Sequence, residues 1–268
     1  MQTALVTGAS SGIGKVLAKV LAERKMNLVL VARSGDVLRT LADELAQQHG
    51  IRAEAIVQDL TEPDAARTVR EAVAERGMAV DILVNNAGFG DYGPFSDRPR
   101  ERHLDMIRLN VLALVDLTYQ VLPAMQAKGS GSIINIASIA AFQPIPYLSV
   151  YAASKSFVLS FSEALWAEVK DSGVRVTCIC PGPTETQFFE RAEFPDAFSG
   201  GGMQQMTSPD AVVADILKAI DDDDSVIVSG NLMNQLTANL PRFLPRQTIV
   251  AAVEKLFRPP VENRGEGG

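Results

Sequence analysis

Apolar residues along the chain fall into two alternating patterns. Short, nearly unbroken apolar runs sit at 3–7 (TALVT), 27–32 (NLVLVA), 53–57 (AEAIV), 81–84 (DILV), 132–137 (SIINIA), 174–180 (VRVTCIC) and 225–228 (SVIV). Between them lie longer stretches with an apolar residue every three or four positions, such as Val37, Leu38, Leu41 and Leu45, then Ala66, Val69 and Val73. The runs predict strands and the spaced stretches predict helices. Strands that are apolar throughout need cover on both faces. Their alternation with helices predicts βαβ crossovers and an α/β fold: a doubly wound sheet of about seven parallel strands with helices on both faces.

No repeat or linker divides residues 1–230, and residues 1–258 are expected to form a single domain. Residues 188–206 contain three consecutive glycines and no clear period, and are expected to form a loop over the substrate. Asp221 to Asp224 reads as a solvated turn. Residues 231–258 read as a helical extension interrupted by Pro241 and Pro245, with mixed basic and apolar residues that suit a packed extension, a membrane surface or an acidic ligand. Residues 259–268 read as a disordered tail.

Charge and cysteine content narrow the function classes. Lys and Arg number 25 against 32 Asp and Glu, a net charge of −7, and no basic face points to nucleic acid. Two cysteines make no disulfide framework. Cys178 and Cys180 share one face of a predicted strand and read as core. So few Cys and His leave little for a metal site, and none is predicted. The N-terminus lacks the basic and long apolar regions of a leader, and the densest apolar stretch, 111–115, falls far short of the roughly 20 residues of a membrane span. The expected location is cytoplasmic.

The first predicted strand runs straight into Gly8-Ala-Ser10-Ser11-Gly12-Ile13-Gly14, which opens a helix. Glycines there permit positive φ and close approach of a phosphate, and the helix N-terminus offers free N–H groups. In this position the loop reads as the pyrophosphate cradle of a Rossmann-type dinucleotide site. An acid at the end of the second strand would bond a ribose 2′-hydroxyl. Here Arg33 stands there instead, and its planar fork suits a 2′-phosphate, so NADP(H) is favoured over NAD(H). Asp36 is placed at the N-cap of the following helix.

Tyr151 and Lys155 lie four apart at the start of an apolar helix, so the phenol and the ammonium share a face. A nearby cation favours the phenolate, which makes the pair a candidate proton donor and acceptor. Ser138, at the end of the predicted strand 132–137, is a candidate hydrogen-bond donor to a carbonyl. Asn110 is a polar amide in an otherwise apolar helix.

In order along the chain, TGASSGIG (7–14), Arg33, Asp59-Leu60, Asn85-Asn86-Ala87-Gly88, Asn110, Ser138, Tyr151-x-x-x-Lys155 and PGPTET (181–186) together resemble the short-chain dehydrogenase/reductase family. The resemblance covers roughly residues 1–190. It implies that Tyr151 moves a proton to or from the substrate oxygen. Lys155 tunes Tyr151 and holds the nicotinamide ribose. Ser138 orients the carbonyl, and Asn110 holds a water linking Lys155 to solvent. It places Asp59 and Leu60 at the adenine, Asn86, Ala87 and Gly88 along the cofactor, and Pro181, Gly182, Thr184 and Thr186 at the nicotinamide amide and phosphates. Ser11 stands where many NADP-preferring members carry a second basic residue, and Thr184 where valine is usual.

Phe89, Ser138, Ile139, Phe142, Pro144, Tyr147, Pro183, Phe188 and Phe189 are candidate pocket residues, mostly apolar, which suits an apolar carbonyl or alcohol. The stretch 144–157 also looks like the branch holding 3-oxoacyl and hydroxysteroid reductases. Helices 111–117 and 151–170 are apolar on more than one face, so with the resemblance they imply a homodimer or homotetramer. Competing readings are a non-catalytic NADP(H) redox sensor, NAD-dependent alcohol oxidation at the same site, and a sugar-nucleotide epimerase. The glycine spacing and the absence of a large C-terminal substrate domain speak against the last.

Overall fold

A computed structural model describes residues 1–195 and 206–259. Seven parallel strands are β1 (Thr3–Thr7), β2 (Asn27–Ala32), β3 (Ala53–Val57), β4 (Ile82–Asn85), β5 (Gly131–Ile136), β6 (Val174–Cys180) and β7 (Val226–Val228). They lie in the order β3-β2-β1-β4-β5-β6-β7. This is the doubly wound sheet the apolar runs predict, and β1, β2, β3 and β6 match those runs end to end.

The unbroken apolar runs have a direct packing reason. Along β1, Ala4 and Val6 face one layer and Leu5 the other. The first layer is α1 (Gly12–Glu23), α2 (Gly35–His49) and, late in the chain, α8 (Pro209–Asp221), with Leu17, Leu38 and Ile216 fully buried. The second is α3 (Ala65–Glu75), α5 (Ala113–Lys128) and α6 (Ser149–Val169), with Val69, Leu117 and Leu165 buried. Both faces of the central strands are thus core, and a polar alternation would place charge in one of them.

Between β4 and α5 stand α4 (Arg100–Ile107) and one π-helical turn (Arg108–Leu112). After β6 come α7 (Phe188–Arg191) and, past the second layer's edge, α9 (Leu232–Asn239) and α10 (Arg246–Phe257). Pro241 and Pro245 fall between these two helices, as the interrupted pattern predicts. Of the expected loop 188–206, residues 196–205 lie outside the described residues, as do residues 260–268 of the expected tail.

Two local expectations are corrected. Ser138 does not end β5, which stops at Ile136. It caps a short 3₁₀ turn, Ile139–Phe142, and accepts the Ala140 N–H at 3.1 Å. Asp36 is not the N-cap of α2, because the helix already begins at Gly35 and Ser34 holds that position. Asp36 instead lies in the first turn, 3.2 Å from Arg39 and facing solvent.

Candidate active site

The order β3-β2-β1-β4-β5 reverses direction at β1 and β4. Crossovers leave to opposite sides there, which opens a crevice at the carboxyl ends of the strands. A cavity of about 1150 Å³ occupies it. Gly8, Ser10, Ser11, Gly12, Ile13, Arg33, Asp59, Leu60, Asn86, Ala87, Gly88, Ser138, Tyr151, Lys155, Pro181, Gly182, Thr184 and Thr186 all line this one cavity. So do Phe89, Ile139, Pro183, Phe188 and Phe189.

The glycine loop is shaped by contacts as well as by φ. Gly8 and Gly12 have φ of +66° and +54°. Gly14 has no lining role and is buried behind the loop, where a Cβ would stand 2.5 Å from the Gly8 carbonyl oxygen. Asn86 braces the loop from β4: its Nδ2 donates to Thr7 O at 2.8 Å, and its backbone N–H donates to Thr7 Oγ1 at 2.9 Å. Ser11 caps α1 without bonding its own helix, so its hydroxyl is turned outward.

At the far edge, Arg33 lies 3.6 Å from Asp59, which also accepts from Thr61 N–H and Oγ1. Burial pushes the Asp59 carboxyl up, but the Thr61 bonds and Arg33 outweigh it and leave Asp59 below the ordinary range. Asp36 does not line the cavity, so no acid on α2 faces Arg33. Sequence reasoning missed Arg191. Its guanidinium lies 3.4 Å from Ser11 Oγ and donates to Gln187 Oε1 at 2.7 Å. A cation therefore reaches Ser11 from the other side of the cavity. Only the tertiary structure brings positions 11 and 191 together, so no local signal could have found it.

At the floor, Lys155 Nζ donates to Ile136 O at 2.8 Å and lies 5.8 Å from the Tyr151 ring centre. Burial pushes Tyr151 up to about 12, and a hydrogen bond from Ser138 pulls the other way. Burial brings Lys155 down to about 8, and the neighbouring Cys178 and Cys180 act in the opposite sense. At neutral pH the phenol therefore holds its proton and the amine is mostly ammonium. Cys178 and Cys180 lie buried side by side beneath this pair, Sγ to Sγ 3.8 Å.

Besides Gly14, four expected residues do not line the cavity: Asn110, Phe142, Pro144 and Tyr147. Asn110 is buried in the π turn, where the extra residue of the turn brings its amide round to Phe89 and α6. Its Oδ1 accepts the Phe89 N–H at 3.1 Å, and Nδ2 donates to Phe89 O at 3.0 Å and Ser154 Oγ at 3.1 Å. These bonds make its side chain a clamp on the cavity wall at Phe89. Phe142 ends the 3₁₀ turn and, partly buried, packs against the buried cluster that includes Leu159 and Cys178. Tyr147 has φ of +65°, which turns its ring toward Tyr92 and its hydroxyl onto Glu254 Oε1 at 2.9 Å.

Phe188 closes the wall above Tyr151, 5.2 Å between ring centres. Gly90 makes this possible, since a Cβ there would meet the Phe188 ring at 2.6 Å. Asp91, with no side-chain exposure, binds Arg98 at 2.6 Å and also Arg102, and so ties α4 to the wall.

Residues 2–195 match the family described as short chain dehydrogenase. The chain belongs to that family. This short-chain dehydrogenase is 39% identical over 183 residues to a very-long-chain 3-oxoacyl-CoA reductase of Anas platyrhynchos, covering 66% of this chain and 58% of that protein. It thus spans less than two thirds of that relative's length. It is 38% identical over 186 residues to sulfoacetaldehyde reductase 2 of Chromohalobacter salexigens, covering 69% of this chain and 73% of that one. Among solved structures, a short-chain dehydrogenase from Sphingobium yanoikuyae in complex with NADPH superposes with a TM-score of 0.78 at 35% identity, covering 85% of this chain and 87% of that one. Among the described residues no helix is long and apolar enough to cross a membrane.

Proposed function

We propose that the protein reduces an apolar ketone or 3-oxoacyl compound with NADPH, residues 1–258 acting as one binding and catalytic unit on the cytoplasmic side. One observation carries this reading: Tyr151, bonded by Ser138 and with its ring 5.8 Å from Lys155 Nζ, lies in the same cavity as a glycine loop flanked by Arg33.

The cavity fits the dinucleotide. Positive φ at Gly8 and Gly12 and the outward N-terminus of α1 suit a pyrophosphate. Arg33 suits a 2′-phosphate, and the cavity of about 1150 Å³ exceeds the roughly 300–1,000 Å³ of ordinary small-ligand pockets. When bound, NADPH would supply the hydride. The chain's own part is to position and protonate. Ser138 and Tyr151 both donate to the substrate oxygen as negative charge develops on it. Tyr151 then gives up its proton, and the adjacent ammonium of Lys155 stabilises the resulting phenolate. Asn110 holds Phe89 in the wall, and Phe188 covers the catalytic pair from water.

The apolar wall of Phe89, Ile139, Phe188 and Phe189, and the 3-oxoacyl-CoA reductase relative, support an apolar acyl or ketone substrate. A homodimer or homotetramer is proposed through the α5–α6 side, where Leu112, Tyr119 and Phe157 are exposed. The test is a fluorescence titration with NADPH and NADH, followed by a screen of apolar ketones and 3-oxoacyl thioesters. NADPH is expected to bind more tightly, and Arg33→Ala to remove that preference by about tenfold, the value of one charge-assisted contact. Equal affinities that Arg33→Ala leaves unchanged would overturn the NADP assignment and bring NAD-linked alcohol oxidation forward.

A further inference from the structure

The outer face of the C-terminal extension plays no part in the chemistry above. Its inner face is anchored. Ile249 and Val253 of α10 are buried, Tyr92 donates to Phe257 O at 2.7 Å, and Tyr147 reaches Glu254. Asn234 of α9 is buried against Gly182 and donates to Ser229 O at 2.8 Å. Its outer face is apolar and open. Leu232, Met233, Leu236 and Leu240 are 75%, 51%, 53% and 57% exposed. Their spacing makes one stripe along α9 and the turn after it. Phe243, at 83%, and Leu256, at 60%, extend the patch.

The charge around this patch is opposite to that of the whole chain. Residues 231–258 hold Arg242, Arg246, Lys255 and Arg258 against Glu254 alone, so 4 − 1 = +3 within a chain of net −7. Arg258 pairs with Glu254, while Arg242 and Arg246 are exposed and form no ion pair among the described residues. Leu240 and Leu256 also line the cavity, so the patch continues into its mouth. A second copy is a poor occupant, because a two-fold pairing would set this positive face against itself.

We propose that this face docks on an anionic lipid bilayer. The stripe and Phe243 enter the headgroup boundary, Arg242 and Arg246 meet lipid phosphates, and the cavity mouth opens against the membrane. Apolar carbonyl compounds dissolved in the bilayer then reach the cavity without crossing water. The docking itself needs no catalytic activity and is tested without it.

The test is co-sedimentation of the full chain with vesicles of phosphatidylcholine alone and of phosphatidylcholine with phosphatidylglycerol. Binding is expected to the mixed vesicles and to weaken with salt. Replacing both cations, Arg242→Gln with Arg246→Gln, should lower the partition constant about thirtyfold, since each surface cation contributes about a factor of five. Phe243→Ser should weaken binding with no change in thermal unfolding, because that side chain is exposed. Failure to bind either vesicle overturns the proposal, as does binding that these substitutions leave unchanged. A wild-type dimer in light scattering that Phe243→Ser converts to a monomer would assign the face to a second copy instead.

Discussion

The floor of the cavity and its rim are built by different rules. The floor consists of loops that leave β1, β4, β5 and β6 within a few residues of fully buried strand positions, together with the first turns of α6, which carry Tyr151 and Lys155. Each floor group is held by a neighbouring strand or helix: Asn86 by Thr7, Lys155 by Ile136 O, Ser138 by the turn it caps. The rim consists of α7, α9 and α10, held by aromatic stacking and a few side-chain bonds. Tyr92 and Phe194 stack at 4.9 Å, Phe189 and Phe194 meet edge to face at 5.0 Å, and two tyrosine hydroxyls fasten α10. Positions that must be exact are tied to the sheet. Positions that select what enters rest on side-chain contacts, which can be exchanged without disturbing it.

The sharpest way to break this comparison is at the floor. Tyr151→Phe should lower turnover by about a thousandfold, within the usual range for general acid catalysis, while NADPH affinity stays at the wild-type value. A mutant that kept its turnover would remove the phenol from the chemistry. Full binding in a wild type that turned over no carbonyl would instead describe a sensor.

pH tests the same pair. In the proposed mechanism reduction needs the Lys155 ammonium, and burial has brought that group down to about 8. Below that pH the ammonium is present and kcat/KM should be level. Above it the amine is neutral, and kcat/KM should fall about tenfold per pH unit. Tyr151, pushed up to about 12, adds no second limb in this range. A profile level through pH 9.5 would mean that the charge on Lys155 is not needed.

Gly14→Ala asks how rigid the floor is. The added methyl meets the Gly8 carbonyl and the Asn86 amide, both fixed by neighbours. A loss of about 1–3 kcal/mol is expected, seen as a lower Tm in thermal unfolding, together with weakened cofactor binding. Unchanged Tm would show that the loop yields easily.

The rim should respond less and differently. Phe188→Ala removes the ring over Tyr151 and should raise KM for apolar carbonyls several-fold with little change in NADPH affinity. An equal loss of cofactor affinity would show that α7 belongs to the floor after all.

Arg191 and Asn110 show why part of the site was hidden in the sequence. Arg191 follows Ser11 by 180 positions and shares no period or motif with it. Asn110 stood out as a polar residue in an apolar helix, but its direction depends on a π turn that has no residue signature. Phe142 and Tyr147 looked like pocket residues because they are aromatic and near Tyr151 in sequence. The end of a 3₁₀ turn and a left-handed backbone angle turned them away. Asp36 was misplaced by two positions, since the helix starts at Gly35 with Ser34 as its N-cap.

What the sequence by itself determined is the sheet, its two covered faces and the order of the loops at its edge. Those follow from local periodicity and from short spacings such as 7–14 and 151–155, where neighbouring residues share one element. Tertiary structure alone decided which way Asn110, Phe142 and Tyr147 point, the approach of Arg191 to Ser11, and which face of 232–257 is buried. Those depend on packing between elements far apart in the chain, and an apolar residue reads the same in sequence whether it faces a neighbour or the solvent.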